Sequence, residues 1–564
     1  MTDRRFKAII ISDFNADVFC GYLNNDEDSP FVDAAAASFG QGMSALIDKK
    51  SKLWSGNYDV AIVWTRPEAV IEPFNRVLCG ENISFSNMFK EVEEYADSLS
   101  NLRDKIGIVF APLWVIPTYY RDYGIFDIKN ARNIEHLLMR MNLLMADKLE
   151  KIPGVHLLNT RSWVENTGKN AFNPKLWYLA KVMFANEVFK EATRDIKSAL
   201  RGIMGESKKV IILDLDDTLW GGMVGEIGWQ NINLGGHDPL GEAFQDFQKT
   251  LKILSRRGIL LAIASKNEEK IAVEAIEKHP EMILRMKDFA AHKINWKDKA
   301  ENIIELMSGL KLGLQSAVFI DNSPEERLRV REALPEVAVP EWPDDKMMYK
   351  KTLLTLQYFD VPYVSTEDTA RSDIYATERK RQELKVGIVS VDEWLESLKI
   401  KITIEELNDN NIQRATQLLN KTNQMNLSTR RMPEKELSEW AGKAGNRLWT
   451  FRVSDKFGDS GITGIISLEA KNRTGRIADF VLSCRVIGRK IEEAMIYTVI
   501  QYARSIGLEE VHACFNPTEK NKPCLEFWQA SGFDTGKERH IFEWKTDKKY
   551  PLPQCVKVEK GDNI

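Results

Sequence analysis

Two aspartates, Asp214 and Asp216, begin directly after the apolar run VIIL at positions 210–213. Four consecutive apolar residues are typical of a buried strand in a parallel sheet. The carboxyl end of such a strand is where an open α/β sheet places its chemistry. Two carboxylates at that position can hold a hard cation through oxygen ligands. They can also divide the work of phosphoryl transfer, one attacking phosphorus while the other carries the proton.

Two further apolar runs end in residues that could complete a site with these aspartates. GILLAIASKN (258–267) brings Ser265 to a strand end, and SAVFIDNSPEER (316–327) does the same for Asp321. Helical stretches separate the three runs, which predicts βαβ units and a parallel sheet. The order of the motifs resembles that of the haloacid dehalogenase (HAD) phosphotransferases, in which a DxDxT strand end is followed by a Ser/Thr and then by an Asp.

The HAD resemblance implies a role for each motif residue. Asp214 would be the nucleophile that becomes an aspartyl phosphate, Asp216 the general acid/base, and Thr218 a hydroxyl that fixes the turn. Ser265 would hold the phosphoryl group. The resemblance also implies a Mg²⁺ cofactor, with Asp214, Asp216 and Asp321 as the metal ligands.

Two positions within these motifs leave alternatives open. The segment HKINWKDKAENI (292–303) should supply a lysine that neutralises the charge of aspartate and phosphate, and Lys299, at the start of a predicted helix, is our choice over Lys293 and Lys297. Many relatives carry a second Asp after the last motif Asp, whereas this chain has Asn322. We expect weaker Mg²⁺ binding there, with Glu325 as the possible substitute.

The spacing of the motifs predicts an uncapped site. About 45 residues separate Thr218 from Ser265, and fewer than 30 separate Ser265 from Lys293. A loop with one amphipathic helix fills the first gap and one helix the second, which leaves no room for a cap domain. An open site suits a macromolecular or carrier-borne substrate, since a small substrate would need a neighbour to exclude water.

Composition limits the classes of function. A chain of 564 residues is too long for one hydrophobic core and predicts three or four domains. The net charge is −4 and no stripe of Lys and Arg with aromatics occurs, which argues against nucleic acid as a partner. No apolar run approaches the length of a membrane span. The first apolar run ends in Asp13 and reads as a strand, not a signal peptide.

Cysteine usage predicts a reduced, cytoplasmic protein. The six cysteines are scattered without a CxxC pattern. The seven histidines show no paired spacing either, so we expect neither a structural metal nor a zinc site.

Residues 1–200 predict a first domain of doubly wound α/β type, because strand-length apolar segments such as YDVAIVWTRP alternate with helical stretches. The pattern resembles a degenerate SGNH hydrolase, with Ser12 at the position of the family's GDS motif. The late segment NAFNPKLWYLAKV (170–182) lacks the DxxH that would supply the other triad members. A serine without a base is a weak nucleophile, so we predict that Ser12 is structural and the domain non-catalytic.

We expect residues 207–345 to form the HAD-like domain, residues 346–400 a charged helical connector, and residues 401–550 a last domain with an antiparallel sheet.

The order of elements in the last domain resembles the GCN5-related N-acetyltransferases (GNAT). In that family a turn before a helix cradles the coenzyme A pyrophosphate on backbone N–H groups. Arg485 and Gly488 match this turn, but Lys490 replaces its last small residue and obstructs a close backbone approach. A modified groove could instead accept the phosphopantetheine arm of an acyl carrier protein.

Taken as a whole, the chain resembles the FkbH-like family, in which a capless HAD domain carries a GNAT-like part and often an SGNH-like extension. The predicted fold class is therefore α/β and multidomain: a degenerate SGNH-like domain, a capless HAD Rossmann-like parallel sheet, and a GNAT-like α+β domain. The motifs that carry the resemblance are DLDDTLWGG, INWKDKAENI, FIDNSPEER, TEDTARSDIY, NKTNQMNLSTR and LSCRVIGRKIEEA.

The FkbH-like resemblance implies a phosphorylated acyl donor, such as 1,3-bisphosphoglycerate, and transfer of a glyceryl group to an acyl carrier protein thiol. The pathway would be secondary-metabolite or surface-polysaccharide biosynthesis. Cys484 is the best thiol for a covalent intermediate, because a helix start and Arg485 follow it and both favour a thiolate; the alternative is a cysteine that only packs. Two other functions remain open: a phosphatase for sugar phosphates or small phosphorylated acids, and an inactive scaffold in a carrier-protein complex.

Overall fold

The computed structural model describes residues 5–38, 44, 46, 52–81, 83–121, 124–126, 128, 133–362, 390–518, 520–536 and 540–561. Contacts divide the chain into two compact units, Met1–Arg201 with Pro433–Glu436, and Gly202–Met432 with Leu437–Ile564. About half of the predicted connector, residues 363–389, and the whole TEDTARSDIY motif lie outside the described residues.

A parallel five-stranded sheet organises the first unit, in the order β2-β1-β3-β4-β5. Its strands are β1 Arg5–Ser12, β2 Phe31–Ala36, β3 Val60–Trp64, β4 Ile108–Pro112 and β5 Val155–Leu158. The helices are α1 Asp17–Asn25, α2 Pro67–Val70, α3 Glu72–Leu78, α4 Phe85–Leu102, α5 Ile134–Leu149, α6 Thr160–Thr167, α7 Pro174–Ala180 and α8 Asn186–Ile203. The central strands β3 and β4 are buried along their whole length, as expected where helices cover both faces of a sheet.

A second parallel sheet of four strands, in the order β8-β7-β6-β9, begins the second unit. Its strands are β6 Val210–Leu213, β7 Leu260–Ser265, β8 Phe289–Ile294 and β9 Ala317–Ile320. The helices are α9 Val224–Ile227, α10 Pro239–Arg256, α11 Glu269–Lys278, α12 Lys299–Gly309, α13 Pro324–Ala333 and α14 Tyr349–Thr355. Alternate residues of β6 enter different cores: Ile211 and Leu213 pack on one face, Val210 and Ile212 on the other.

The connections of this sheet leave no cap domain. Between β6 and β7 the chain forms the one-turn helix α9 and the long helix α10, and between β7 and β8 it forms α11 and a short 3₁₀ turn. The sequence predicted one helix in the first gap, and the structure adds α9 to it. The described residues of both gaps contain no strand that could begin a cap.

A mixed sheet forms the rest of the second unit, in the order β16-β17-β15-β14-β13-β12-β10-β18, with β11 paired to β14. Its strands are β10 Ile400–Glu406, β11 Met425–Asn426, β12 Asn446–Asp455, β13 Gly458–Lys471, β14 Thr474–Leu482, β15 Glu510–Cys514, β16 Asp534–Thr535, β17 Ile541–Lys545 and β18 Val556–Lys560. The helices are α15 Val391–Leu398, α16 Ile412–Lys421, α17 Glu434–Ala441, α18 Ile491–Ser505 and α19 Lys522–Ala530.

The prediction of an antiparallel sheet is wrong at one pair of the predicted strands. β14 and β15 run parallel, because the crossover helix α18 returns the chain to its starting direction before β15 begins. β18 also pairs in parallel with β10, so the sheet extends past residue 550, where we expected the domain to end.

A short segment fills the gap where β14 and β15 separate. Their pairing ends at Ile477, and beyond it Leu482 and Val481 of β14 pair with Met425 and Asn426 of β11. Leu427 then bonds to both sides, since its N–H donates to the Phe480 carbonyl and its own carbonyl accepts from Asn516 N. The chain therefore closes its own sheet at this point.

No helix within the described ranges has both the length and the apolar character needed to cross a membrane.

Candidate functional site

Three adjacent strands of the four-stranded sheet end at one level and present the predicted side chains. Leu213 of β6 lies beside Ile263 of β7 and Ile320 of β9, so Asp214, Ser265 and Asp321 emerge at the same edge. Asp214 N donates to the Ile320 carbonyl, which extends the ladder by one residue and fixes the direction of Asp214. Ser265 and Asp321 are buried, and Asp214 is 6% exposed.

Lys299 joins the two strand-end aspartates. Its Nζ lies 2.9 Å from Asp214 Oδ1 and 2.6 Å from Asp321 Oδ2. Burial is the largest influence on the pKa of Lys299 and lowers it, yet the charges of the two carboxylates together raise that pKa above its ordinary value. The lysine is thus a permanent cation between the carboxylates, as expected of a residue that neutralises aspartate and phosphate charge.

The two rival lysines lie elsewhere. Lys293 and Lys297 both pair with Glu305, and the distance from Lys297 Nζ to Glu305 Oε1 is 3.6 Å. Lys299 is the first residue of α12, and Asp298 caps this helix by accepting from Ala300 N at 2.8 Å. The cap fixes the start of the helix, so Lys299 is directed at the carboxylates.

Asp216 has different partners from Asp214. Its Oδ1 accepts from Trp220 Nε1 at 2.9 Å and from Val224 N at 3.0 Å, and its Oδ2 accepts from Asn267 Nδ2 at 3.0 Å. Burial raises the pKa of Asp216 above its ordinary value, against the lowering effect of these hydrogen bonds. A carboxyl group that keeps its proton more readily is suited to general acid catalysis.

Thr218 ties the first motif to the last. Its Oγ1 donates to Asn322 Oδ1 at 3.3 Å and accepts from Asn322 N at 3.2 Å. Asn322 therefore supports the turn predicted for Thr218. Glu325, the expected substitute for a second motif carboxylate, accepts from Ser323 Oγ at 2.8 Å, and the bonds at this helix start lower its pKa.

The donor atoms around Lys299 fit a magnesium ion in type. Burial and, after it, the charge of Asp214 raise the pKa of Asp321 to about 6, although Lys299 lowers it. Two crowded carboxylates of this kind are stabilised by further positive charge, and Mg²⁺ commonly uses one or two carboxylates together with water and substrate phosphate. Within the described residues, no group of three His, Cys, Asp or Glu side chains could hold a metal. Of the three predicted metal ligands, Asp216 is the one whose carboxylate oxygens accept hydrogen bonds from Trp220, Val224 and Asn267.

Sequence reasoning missed three residues of the site. The Nδ2 of Asn267 lies 3.3 Å from Ser265 Oγ and also donates to Asp216 Oδ2, so Asn267 connects these two residues. Trp220 bonds to Asp216, and Arg327 Nη1 donates to the Asp321 carbonyl at 2.9 Å. All three stand within the quoted motifs, but only a folded structure shows that their side chains turn towards the carboxylates.

In the first unit, the Ser12 hydroxyl donates to the carbonyl of Phe14 at 2.6 Å. The neighbouring Asp13 accepts from Arg66 Nε at 2.6 Å. The segment in which a DxxH was sought forms α7, capped by Asn173. These contacts fit the structural role predicted for Ser12.

Of the three residues predicted at the acyl site, Cys484 and Arg485 line the same cleft and Gly488 does not. Cys484 is half-buried and begins the 3₁₀ turn Cys484–Val486, whereas α18 starts at Ile491. The dipole of a helix acts within its first turn, so α18 gives Cys484 less support than the sequence predicted.

The turn that should cradle a pyrophosphate is occupied by the protein itself. Gly488 N donates to Glu492 Oε1 at 2.8 Å, and Lys490, with a positive φ of 64°, pairs with Glu493 at 2.7 Å. Burial raises the pKa of Glu492 to about 7, against the lowering effect of its bond to Gly488. The internal carboxyl group occupies the N–H that an incoming phosphate would need.

No protein-family model matches this chain, and no curated protein matches it significantly. Among solved structures, it is similar to the N-terminal part of the protein BF1531 from Bacteroides fragilis, which contains a phosphatase domain complexed with Mg. The identity is 27%, the match covers 64% of this chain and 95% of that chain, and the TM-score is 0.58. An acetyltransferase of the GNAT family from Staphylococcus aureus Mu50 is 12% identical, over 26% of this chain and 99% of that chain, with a TM-score of 0.21.

The predicted fold class, α/β and multidomain with parallel sheets, is confirmed. The share of this chain that matches the phosphatase-containing structure exceeds residues 207–345 alone. Membership of the FkbH-like family and the SGNH-like character of the first unit remain predictions.

Proposed function

We propose that this protein is a Mg²⁺-dependent HAD-type phosphatase that also transfers an acyl group. Its donor would be a phosphorylated three-carbon acyl phosphate of the 1,3-bisphosphoglycerate type, and its acceptor the thiol of an acyl carrier protein. The observation that supports the phosphatase part best is Lys299 between Asp214 and Asp321, at the edge where three parallel strands end.

The phosphoryl step follows from the separate surroundings of the two motif aspartates. Asp214 attacks phosphorus, the bond from phosphorus to the leaving oxygen breaks, and Asp216 gives that oxygen a proton. Water then attacks the aspartyl phosphate while Asp216 takes its proton, which releases inorganic phosphate and restores Asp214. Mg²⁺ would supply charge neutralisation for the phosphoryl oxygens, and Asp214 and Asp321 are the residues that would hold it.

The acyl step needs a thiol but no further activation. The Cys484 thiolate attacks the carbonyl carbon of the acyl phosphate, the carbon–oxygen bond to phosphate breaks, and a thioester forms as phosphate leaves. The carrier thiol then attacks this thioester, takes the acyl group and frees Cys484. The absence of a cap over the described phosphatase site supports a carrier-borne substrate, because a bulky carrier can reach it.

Intact-protein mass spectrometry tests the two steps together. Incubation with 1,3-bisphosphoglycerate should give a hydroxylamine-labile mass increase at Cys484 that moves to a holo carrier protein. With Asp214→Asn the acyl group that reaches the carrier protein should be heavier by one phosphoryl group, because the phosphatase step is lost while the Cys484 thiol remains.

The matched control for Cys484→Ala is Cys514→Ala, since Cys514 is an exposed free thiol of the same sheet. Loss of the adduct in Cys484→Ala alone supports the proposal. An adduct that persists in Cys484→Ala moves the acylation site elsewhere, and efficient transfer from acetyl-CoA would favour an ordinary acetyltransferase.

A further inference from the structure

A cleft on the second unit lies at the other edge of the four-stranded sheet from the phosphatase site. Its walls come from two parts of the chain. One wall is formed by residues just before β6 and after α12, and the other by α16, the residues that follow it and the start of the Cys484 turn. Lys209 Nζ donates to the Lys421 carbonyl at 3.2 Å and holds the two walls together. The cleft has a volume of about 100 Å³ and opens to solvent.

The charge of the cleft is one-sided. Five of its lining residues are cations, namely Lys209, Lys311, Arg414, Lys421 and Arg485, and none of the described lining residues is a carboxylate. All five are half-buried, which reduces the screening of their charge by solvent. A concave surface with a single sign of charge concentrates counter-ions of the opposite sign.

The remaining lining groups suit a small polar ligand more than a bare ion. Thr422, Asn423, Gln424 and Ser483 provide hydroxyl and amide groups, and Cys484 contributes a thiol to the same wall. Phosphate oxygens accept hydrogen bonds from such donors and ion pairs from Lys and Arg.

From this arrangement we infer that the cleft is a binding site for a small organic phosphate, separate from the phosphatase site, that places its ligand beside Cys484. The inference rests on the acyl step of the proposed function and adds to it the place, at the amino edge of the sheet, where the phosphorylated ligand of Cys484 binds. The same phosphate chemistry could come from a free phosphorylated acid or from the arm of a carrier protein. The test below separates these sources.

The reaction of Cys484 with iodoacetamide, mapped by mass spectrometry, reports occupancy of the cleft. Asp214→Asn is the background, so that phosphate esters are not consumed, and the exposed thiols Cys79 and Cys514 serve as internal controls. The probes are 3-phosphoglycerate, 4′-phosphopantetheine and inorganic phosphate. At ten times its dissociation constant an organic phosphate should slow alkylation of Cys484 about tenfold by mass action and leave the control thiols unchanged.

Substitutions on both walls test the role of charge. Lys311→Gln and Lys421→Gln should each raise the ligand concentration needed for protection, whereas Lys471→Gln, an exposed lysine at the end of β13, should not. Protection by 3-phosphoglycerate alone identifies a free acid as the source, and protection by 4′-phosphopantetheine alone identifies the carrier arm. No protection by either compound, or equal protection by inorganic phosphate, overturns the inference.

Phosphate release reports on the phosphatase site separately. It is measured with the same compounds on protein that retains Asp214. A protein that hydrolyses phosphate esters but shows no protection of Cys484 would refute the cleft and leave the phosphatase standing. The reverse result would keep the cleft and refute the phosphatase.

Discussion

At the scale of single residues, the site is organised by unequal sharing of charge among three aspartates. Asp214 and Asp321 share the ammonium of Lys299, while Asp216 takes neutral partners, an indole, an amide and a backbone N–H. Groups of one chemical type can therefore take different roles, because the charges and hydrogen-bond donors around them differ.

Replacement of the nucleophile tests the first of these roles. Asp214→Asn is nearly isosteric and should lower Mg²⁺-dependent hydrolysis of phosphate monoesters by at least about a thousandfold, the scale seen when a nucleophile is removed. Steady-state kinetics with circular dichroism of the same samples would separate lost chemistry from lost folding. Asp344→Asn, an exposed position of the same sheet domain, should retain full activity. Undiminished hydrolysis by Asp214→Asn would remove that residue from the mechanism.

The predicted role of Ser12 has an equally direct test. Its hydroxyl donates to the Phe14 carbonyl, and the missing DxxH leaves it without the expected base. A fluorophosphonate probe, which labels activated serines, should therefore leave Ser12 unmodified under conditions that label a serine hydrolase control completely. Stoichiometric labelling of Ser12 would contradict this prediction.

The residues that sequence could place are those whose position depends on strands alone. Asp214, Ser265 and Asp321 follow apolar runs of strand length, and parallel strands in register bring such ends together. Asn267 and Trp220 could not be placed in this way, because their contacts with Asp216 depend on the path of two loops. Loop paths follow from packing across the whole domain, which a local pattern does not record.

At the scale of elements, the start of α18 contains a buried carboxyl group, that of Glu492, whose charged form the folded protein stabilises poorly. Glu492 is fully enclosed, one carboxyl oxygen accepts from Gly488 N, and the other has no hydrogen-bond partner among the described residues. The folded state keeps its proton up to about pH 7, whereas the unfolded chain loses it near 4.5. Stability from this group is therefore fully present below about pH 4.5 and is lost as pH rises through 7.

Glu492→Gln should remove this pH dependence. The amide oxygen of Gln can still accept from Gly488, but no charge forms, so the variant should gain stability over the wild type as pH rises. Its advantage should approach about 3 kcal/mol at pH 8, from a shift of about 2.5 pKa units at about 1.4 kcal/mol each. Urea unfolding at pH 5 and pH 8 measures the difference.

The matched control is Glu493→Gln, which removes the exposed ion pair with Lys490 instead of the buried carboxyl group. Surface ion pairs contribute little, so its effect should stay below about 1 kcal/mol at both pH values. A Glu492→Gln variant that is less stable than the wild type at pH 8 would show that the carboxylate is needed.

The mixed sheet also shows which strands a local apolar pattern can predict and which it cannot. The strands β10, β12, β13, β14 and β15 were all predicted, because each has a clear apolar pattern. The two-residue strand β11 was not, since Met425 and Asn426 become a strand only through pairing with β14. The direction of β15 was predicted wrongly and β18 was not predicted at all for the same reason, since pairing partners are chosen by the tertiary fold.

At the scale of the whole molecule, the short connections around the phosphatase site contain no cap domain in the described residues. A site without a cap gives little binding energy to a small ester, whereas a carrier can contribute contacts away from the reacting phosphate. We therefore expect kcat/KM for a phosphoglyceryl thioester on a carrier protein to exceed that for p-nitrophenyl phosphate by at least about tenfold, equivalent to about 1.4 kcal/mol of remote contacts. Equal values for the two substrates would contradict a carrier-borne substrate.

The strand β6 has the phosphatase aspartates at one end and Lys209 of the basic cleft at the other. Five residue steps at about 3.3 Å each place Asp214 about 16 Å from Lys209, too far for one small molecule to touch both. A three-carbon intermediate that is not covalently held would have to leave one end and cross bulk water to reach the other. An intermediate released into water in this way mixes with unlabelled compound in the medium, which should lower the isotope label in the product. A tethered intermediate should keep its label undiluted.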